Sequence, residues 1–303
     1  MPQAAGFGAR IAYPDTHPLE PHTVPTFSFK QVDVFASAPL RGNPLAVVIA
    51  ADALDEARMA AFAHWTNLSE TIFLLRPTTP QADYRVRIFT PWGELPFAGH
   101  PTLGACAVWL ASGGRPRGEH IIQECAAGLI TLRRDGSRLA FAAPPLQRSG
   151  PVEAGLWPRI AAGLGLSTGE IRAAQWVDNG PGWLAVRLDS RRRLLALRPD
   201  PVVLGDIKIG VVAPWDPQVD GTEAQFEVRA FVSGGSLLED PVTGSLNAGI
   251  AQWFMGQAGG PQAYVAAQGT ALGRAGRVHV QQIGADIWVG GDVAPCIEGT
   301  VVL

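Results

Sequence analysis

A chain of 303 residues is long enough for two domains of ordinary size, each with its own core. With 24 basic and 27 acidic residues the formal charge is −3, so no basic field draws it to nucleic acid or anionic lipid. Its three widely spaced cysteines, Cys106, Cys125 and Cys296, fit neither a disulfide framework nor a zinc site.

In chain order, residues 1–26 carry prolines and charges but no apolar core of a secretory signal, and read as a flexible N-terminal extension. Beyond it, 35 glycines and 25 prolines punctuate short apolar runs. Strands are predicted at 31–35, 45–49, 71–75, 84–89, 129–132 and 139–142 in the first half, with helices at 55–66 and 102–111. The second half repeats the style, with strands at 175–177, 184–188, 226–231, 278–280 and 287–289. Its helices are predicted at 242–255 and, more briefly, at 157–164. Runs such as 45–51 and 71–75 are strand-length, and none approaches the roughly 18 to 20 residues of a membrane span. The expectation is a cytoplasmic protein with no membrane and no nucleic-acid partner. The run Arg191-Arg192-Arg193 reads as a solvated loop or strand end.

The halves echo each other. Leu45-Ala46-Val47 after Asn43-Pro44 returns as Leu184-Ala185-Val186, 139 positions on (45 to 184). Phe89 followed by His100-Pro101-Thr102-Leu103-Gly104-Ala105 returns as Phe231 followed by Asp240-Pro241-Val242-Thr243-Gly244-Ser245, 140 positions on (100 to 240). A period this long means two similar domains and not a solenoid. In each half a Gly-rich loop leads through x-Pro-x-x-Gly-small into an apolar helix. Pro101 and Pro241 suit a first helical position, which needs no N–H, and Asp240 and His100 hold the capping place before them. Two helix N-termini facing one interdomain cleft could hold a carboxylate through free N–H groups and positive dipole ends. Such a site needs no metal, and the six histidines show no ligand spacing.

The proton carrier would have to reach that cleft. Glu70, in Asn67-Leu68-Ser69-Glu70-Thr71, joins a helix to a strand. Alone it reads as a solvated turn carboxylate, as His100 alone reads as a packed histidine, Asp240 as a helix cap and Ser245 as a small helix residue.

Taken together, several segments resemble one family. They are Gly42-Asn43-Pro44-Leu45-Ala46-Val47-Val48, Asn67-Leu68-Ser69-Glu70-Thr71, Arg87-Ile88-Phe89-Thr90-Pro91 and Glu94-Leu95-Pro96-Phe97-Ala98-Gly99-His100-Pro101-Thr102-Leu103-Gly104. With them go Asp178-Asn179-Gly180-Pro181, Glu239-Asp240-Pro241-Val242-Thr243-Gly244-Ser245 and Gln268-Gly269. In this order, from about residue 28 to the C-terminus, they resemble the PhzF-like, or phenazine-biosynthesis-like, isomerases. The resemblance implies an α+β, diaminopimelate-epimerase-like fold: two similar domains, each a β-barrel-like sheet round a central helix, with the active site between them. The expected division is 27–145 with a C-terminal strand of about 290–303, and 146–289.

The resemblance also implies roles. Glu70 would be the general acid/base, with His100 and Asp240 completing the catalytic set. Gly99, Thr102, Gly244 and Ser245 would bind substrate. No cofactor and no metal are implied, and no GxGxxG follows a strand. The expected reaction is a proton shift on a small unsaturated amino or hydroxy carboxylate, of the trans-2,3-dihydro-3-hydroxyanthranilate type, in a homodimer. The alternatives are a non-catalytic small-carboxylate or protein-binding module of the same fold, or an epimerase on another small acid. Cofactor-free epimerases of this fold carry a cysteine at each helix start. Here His100 and Asp240 stand there and Cys106 lies inside the helix, which argues against two-base epimerisation.

Overall fold

The computed structural model describes residues 25–233 and 237–303. The extension expected at 1–26 lies outside the described residues up to residue 24, whereas Thr26 already pairs with Val302. The first half runs β1 (Thr26–Val34), β2 (Asn43–Ile49), α1 (Glu56–Thr66), β3 (Thr71–Leu75), β4 (Tyr84–Thr90), β5 (Gly93–Leu95), α2 (Gly99–Ala111), β6 (Ile121–Cys125), β7 (Gly128–Asp135) and β8 (Arg138–Ala142). The second runs β9 (Arg148–Pro151), α3 (Trp157–Leu164), β10 (Ala173–Asp178), β11 (Trp183–Arg187), α4 (Arg191–Leu195), α5 (Pro201–Leu204), β12 (Lys208–Pro214) and β13 (Phe226–Ser233). It closes with β14 (Leu237–Asp240), α6 (Gly244–Met255), β15 (Ala263–Gln268), β16 (Gly276–Ile283), β17 (Asp286–Gly291) and β18 (Val293–Val302).

The strand pairings repeat as a pattern. In the first half β1–β2 is antiparallel, β2–β3 parallel, β3–β4 and β4–β5 antiparallel, β4–β6 parallel, and β6–β7–β8 antiparallel. From β10 the same order recurs: antiparallel to β11, parallel to β12, antiparallel to β13 and β14, β13–β15 parallel, then β15–β16–β17 antiparallel. Each sheet is completed by a strand that follows the other sheet in the chain. β9 adds to β10, and β18 returns to β1 along nine residue pairs. A further seam joins β8 to β17.

Each sheet curls round one helix. α2 packs on β1, β2, β3, β4, β8 and β18, and α6 on β10, β11, β16 and β17. A helix enclosed this way must be apolar all round, and Leu103, Ala105, Cys106, Leu246, Ala248 and Ala251 are each fully buried. Close approach needs glycine at fixed places. A methyl on Gly104 would strike Leu45 and Val34, and one on Gly249 would strike the Val177 carbonyl.

Two expectations need correction. α2 starts at Gly99 from Ala98, and α6 at Gly244 from Thr243, so neither His100 nor Asp240 caps its helix. His100 lies inside the first turn, and Asp240 ends β14 three residues before its helical neighbour's cap. The repeat is therefore offset by 145 positions at the helices (99 to 244, 104 to 249), not 140. The shared Pro-x-x-Gly spacing had suggested the wrong register, because Pro101 sits within the first turn, where a proline is tolerated, while Pro241 precedes the helix. Second, Arg191 is not in a solvated loop. It opens α4 and binds Glu227 and Asp220 at 2.9 Å each, with its guanidinium 4.4 Å above the Trp215 ring.

Gly249→Ala forces a methyl against a backbone carbonyl and should cost about 1–3 kcal/mol. Gly155→Ala, which meets nothing within 4 Å, should stay within about 0.5 kcal/mol of the parent. Urea denaturation of both variants checks the difference.

Candidate active site

The two central helices meet nose to nose. A Cβ on Gly99 would lie 2.9 Å from the Gly244 backbone, and one on Gly244 would lie 2.9 Å from Gly99. Only glycine permits this contact. Neither Ala98 nor Thr243 gives its helix a side-chain cap, so the first-turn N–H groups of both helices converge without one.

Glu70 arrives from the first half. Asn67 takes a left-handed conformation (φ 53°) to end α1, and the chain turns through Ser69 and Glu70 into β3. The Glu70 side chain is 16% exposed, and its Oε2 lies 3.3 Å from His100 Nδ1. Burial first, and the negative charge of Asp240 second, raise the Glu70 carboxyl well above the usual carboxylate range. Its Oε2 is buried with no hydrogen-bond partner among the described residues, as is His100 Nε2. His100 is 3% exposed, and burial pushes its imidazole down to about 3. The close Glu70–His100 pair is therefore a neutral ring beside a carboxyl and not a salt bridge at working pH.

Asp240 comes from the second half and is held by donors. Asn43 Nδ2 donates to its Oδ1 at 3.0 Å and to the Val242 carbonyl at 2.9 Å. Ser69 Oγ donates to the same Oδ1 at 3.0 Å, and Thr243 Oγ1 to Oδ2 at 2.6 Å. Asn43 has only two N–H groups and directs them to these shorter contacts, while His100 Nδ1 lies 3.3 Å from its nitrogen and the His100 ring also bonds the Pro44 backbone. Two carboxyl groups thus share one enclosure with unequal support: three donors on Asp240, none on Glu70 Oε2.

The other expected site residues divide. Gly99 and Gly244 form the helix junction itself. Ser245 follows on α6, its Oγ accepting from Trp183 Nε1 at 3.0 Å and its carbonyl from Asn179 Nδ2 at 2.9 Å. Thr102 is turned away: its hydroxyl donates to the Ala98 carbonyl and accepts from Gln123, wholly inside the first domain's core. Asn43, Ser69, Thr243 and Asn179 are not among the residues expected at the site, although each lies in a segment that carries the family resemblance. Asn179, 4% exposed with Oδ1 unpartnered, also faces a cleft of about 520 Å³ lined by Phe97, Ile130, Pro144, Gly180 and Pro181. No group of three or more His, Cys, Asp or Glu among the described residues is placed to hold a metal. No helix among them is long and apolar enough to cross a membrane. Burial pushes the Cys106 thiol up to about 12, so it is no candidate base.

The duplicated α+β fold, each sheet round one central helix, is of the diaminopimelate-epimerase-like class. The chain belongs to the PhzC-PhzF family of phenazine-biosynthesis-like proteins, whose model matches residues 32–299. It is 36% identical over 297 residues to antisense-enhancing sequence 1 of Schizosaccharomyces pombe, covering 90% of this chain and 97% of that one. It is 33% identical over 288 residues to the trans-2,3-dihydro-3-hydroxyanthranilate isomerase of Pseudomonas aeruginosa, covering 90% and 98%. The crystal structure of a phenazine biosynthesis protein of this family from Enterococcus faecalis superimposes with a TM-score of 0.73 at 26% identity, over 92% of this chain and all of that one.

The raised Glu70 carboxyl has a consequence for stability. A carboxyl whose folded pKa exceeds its unfolded value contributes most below the unfolded value, and that contribution is lost as pH rises through the folded one. Glu70→Gln is therefore expected to melt a few degrees above the parent at pH 8 and close to it at pH 4, read by thermal denaturation.

Proposed function

We propose that this protein is a cofactor-independent isomerase in which Glu70 shifts a proton on a small unsaturated amino or hydroxy carboxylate. The observation that carries the reading is the Glu70 carboxyl: enclosed, without a donor on Oε2, repelled by Asp240 and 3.3 Å from a neutral His100. Burial and the Asp240 charge raise its proton affinity towards the range in which one group can both take and return a proton. In water-exposed surroundings the same carboxyl would be too weak a base.

The substrate carboxylate is placed at the uncapped N-termini of α2 and α6, where the Gly99, Gly244 and Ser245 backbone offers converging N–H groups and two positive dipole ends. The carbon to be deprotonated, acidified by neighbouring unsaturation, then faces Glu70. Ionised Glu70 removes the proton as the C–H bond breaks, the electron pair moves into the conjugated system, and the proton returns from Glu70 to another carbon on the same face. No electron leaves the substrate, so the sum is an isomerisation. Neutral His100 donates or accepts one hydrogen bond beside the moving proton, and Asp240 supplies the charge that keeps Glu70 basic.

The relative from Pseudomonas aeruginosa makes trans-2,3-dihydro-3-hydroxyanthranilate the first compound to try. Proton NMR in D₂O of a panel of small unsaturated amino and hydroxy carboxylates should show deuterium entering one of them with the parent enzyme. Glu70→Gln should lower that rate by at least about 10²-fold. Ligand-induced thermal shifts without exchange on any compound would instead favour a binding module.

Asp240→Asn removes the neighbouring negative charge, so the Glu70 carboxyl falls toward its ordinary range. The limb of the kcat/KM profile that rises with Glu70 ionisation should then move to lower pH, and the maximal rate should drop.

A further inference from the structure

Gln268 and Thr243 stand behind Asp240 and touch no candidate substrate position. Gln268, on β15, is fully buried, and Thr243 is 6% exposed. The orientation of the Gln268 amide is fixed by two groups that cannot reverse roles. The Thr243 backbone N–H donates to Oε1 at 3.0 Å, and the Asp240 carbonyl accepts from Nε2 at 3.2 Å. Asn247 Nδ2 also donates to Oε1, at 2.8 Å. Nε2 must therefore donate to Thr243 Oγ1, 2.9 Å away. With that oxygen accepting from the amide, the hydroxyl proton goes to Asp240 Oδ2 at 2.6 Å.

The first half shows what the same device does without a carboxylate. Gln123 stands 145 positions before Gln268, and Thr102 the same distance before Asn247. Gln123 donates to Thr102 Oγ1 at 3.0 Å, and Thr102 passes its proton to the Ala98 carbonyl at 2.9 Å. In the second half Asn247 takes over that helix-binding task, donating to the Thr243 carbonyl at 2.9 Å. The capping position, Ala98 in one half, is Thr243 in the other, and its hydroxyl gives α6 no cap. A hydroxyl at a cap position ordinarily serves its own helix. Here it is turned outward onto Asp240.

We infer that Gln268 and Thr243 are positioning residues that fix one proton of this site on the Thr243–Asp240 hydrogen bond, so that Asp240 is the member of the carboxyl pair that ionises and Glu70 the member that carries the mobile proton. This rests on Glu70 as the acid/base. The charged and titratable groups bearing on Asp240 are Glu70 before β3, His100 on α2 and Glu239 on β14. Glu239 is itself held by Arg229 through two contacts of 2.9 and 2.7 Å, so its charge is largely spent. Burial raises the Asp240 carboxyl, and of the three donors that oppose this Thr243 is the strongest, ahead of Ser69 and Asn43.

The test is a pH titration of the full-length protein labelled at the aspartate side-chain carboxyl carbon, with the Asp240 signal assigned by its absence in Asp240→Asn. Thr243→Val keeps the side-chain shape and removes the hydroxyl. Its Asp240 midpoint should move upward, with turnover on the identified substrate down about tenfold or more. Thr243→Ser, which keeps the hydroxyl, should restore both. Gln268→Met should move the midpoint the same way as Thr243→Val. An Asp240 midpoint unmoved in Thr243→Val, or moved equally in Thr243→Ser, overturns the inference and leaves these residues as packing for α6. The midpoint is read without substrate. If Glu70→Gln keeps its exchange activity while the midpoint moves as stated, the Glu70 reading fails and the proton placement on Asp240 stands.

Discussion

The contact on which the site depends is backbone against backbone, Gly99 to Gly244. It brings two helix N-termini into apposition, and their like dipole ends repel in a poorly polarisable interior. Such an arrangement needs an anion nearby, and the chain places Asp240 there, tied to the α6 cap residue by the Thr243 hydroxyl. The same positive ends make a second anion welcome. A junction that would be a liability in an ordinary core is, in the proposed reading, a seat for a carboxylate beside a fixed negative charge and a movable proton.

Holding that junction requires two domains that cannot drift apart. The crossing strands do this: β9 pairs within the second half and β18 within the first, so each sheet is completed by a segment that follows the other sheet in the chain. The β8–β17 seam adds a third tie. Asn43 then crosses at the site itself, from the start of β2 to Asp240 and the Val242 carbonyl. Residues from both halves thus share one hydrogen-bond network, and the geometry around Glu70 is set by strand register far from it.

Much of this was legible from residue pattern. Runs such as Thr71–Leu75 and the helix Trp157–Leu164 fall where apolar periodicity put them. Some unpredicted strands lack the pattern for physical reasons, although β6, with its alternating burial, has it. β18 is exposed on both faces through most of its length, so nothing alternates, and β14 and β5 are too short, at four and three residues, to show a pattern. β12 is buried almost throughout, but its apolar run is broken by Gly210 and flanked by Lys208 and Pro214, which weaken the strand signal. Proline does not mark the first helical position of α6, which starts at Gly244, beyond Pro241. Glycine at the junction was the stronger constraint, since no other residue lets the two helices touch. The site set of Glu70, His100 and Asp240 rested on family resemblance. No single one of these residues announces itself, and their proximity arises from a duplication whose true offset places His100 opposite Ser245 and Asp240 opposite Leu95.

That last correspondence bears on the chemistry. If the halves had kept matching side chains at the junction, the substrate would meet two equivalent bases on opposite faces, as stereochemical inversion requires. They did not. The second half supplies Asp240 and Thr243 where the first has Leu95 and Ala98, and the first supplies His100 where the second has Ser245. Of the two carboxyl groups described at the junction, Glu70 is the one with an oxygen, Oε2, that no donor supports among the described residues, and the Cys106 thiol is too firmly protonated to answer it from within α2. One unsupported base on one side can lift a proton and set it down again, but only on the face it came from. The asymmetry of the duplicated halves therefore agrees with the proposed shift of unsaturation and not with inversion of a centre.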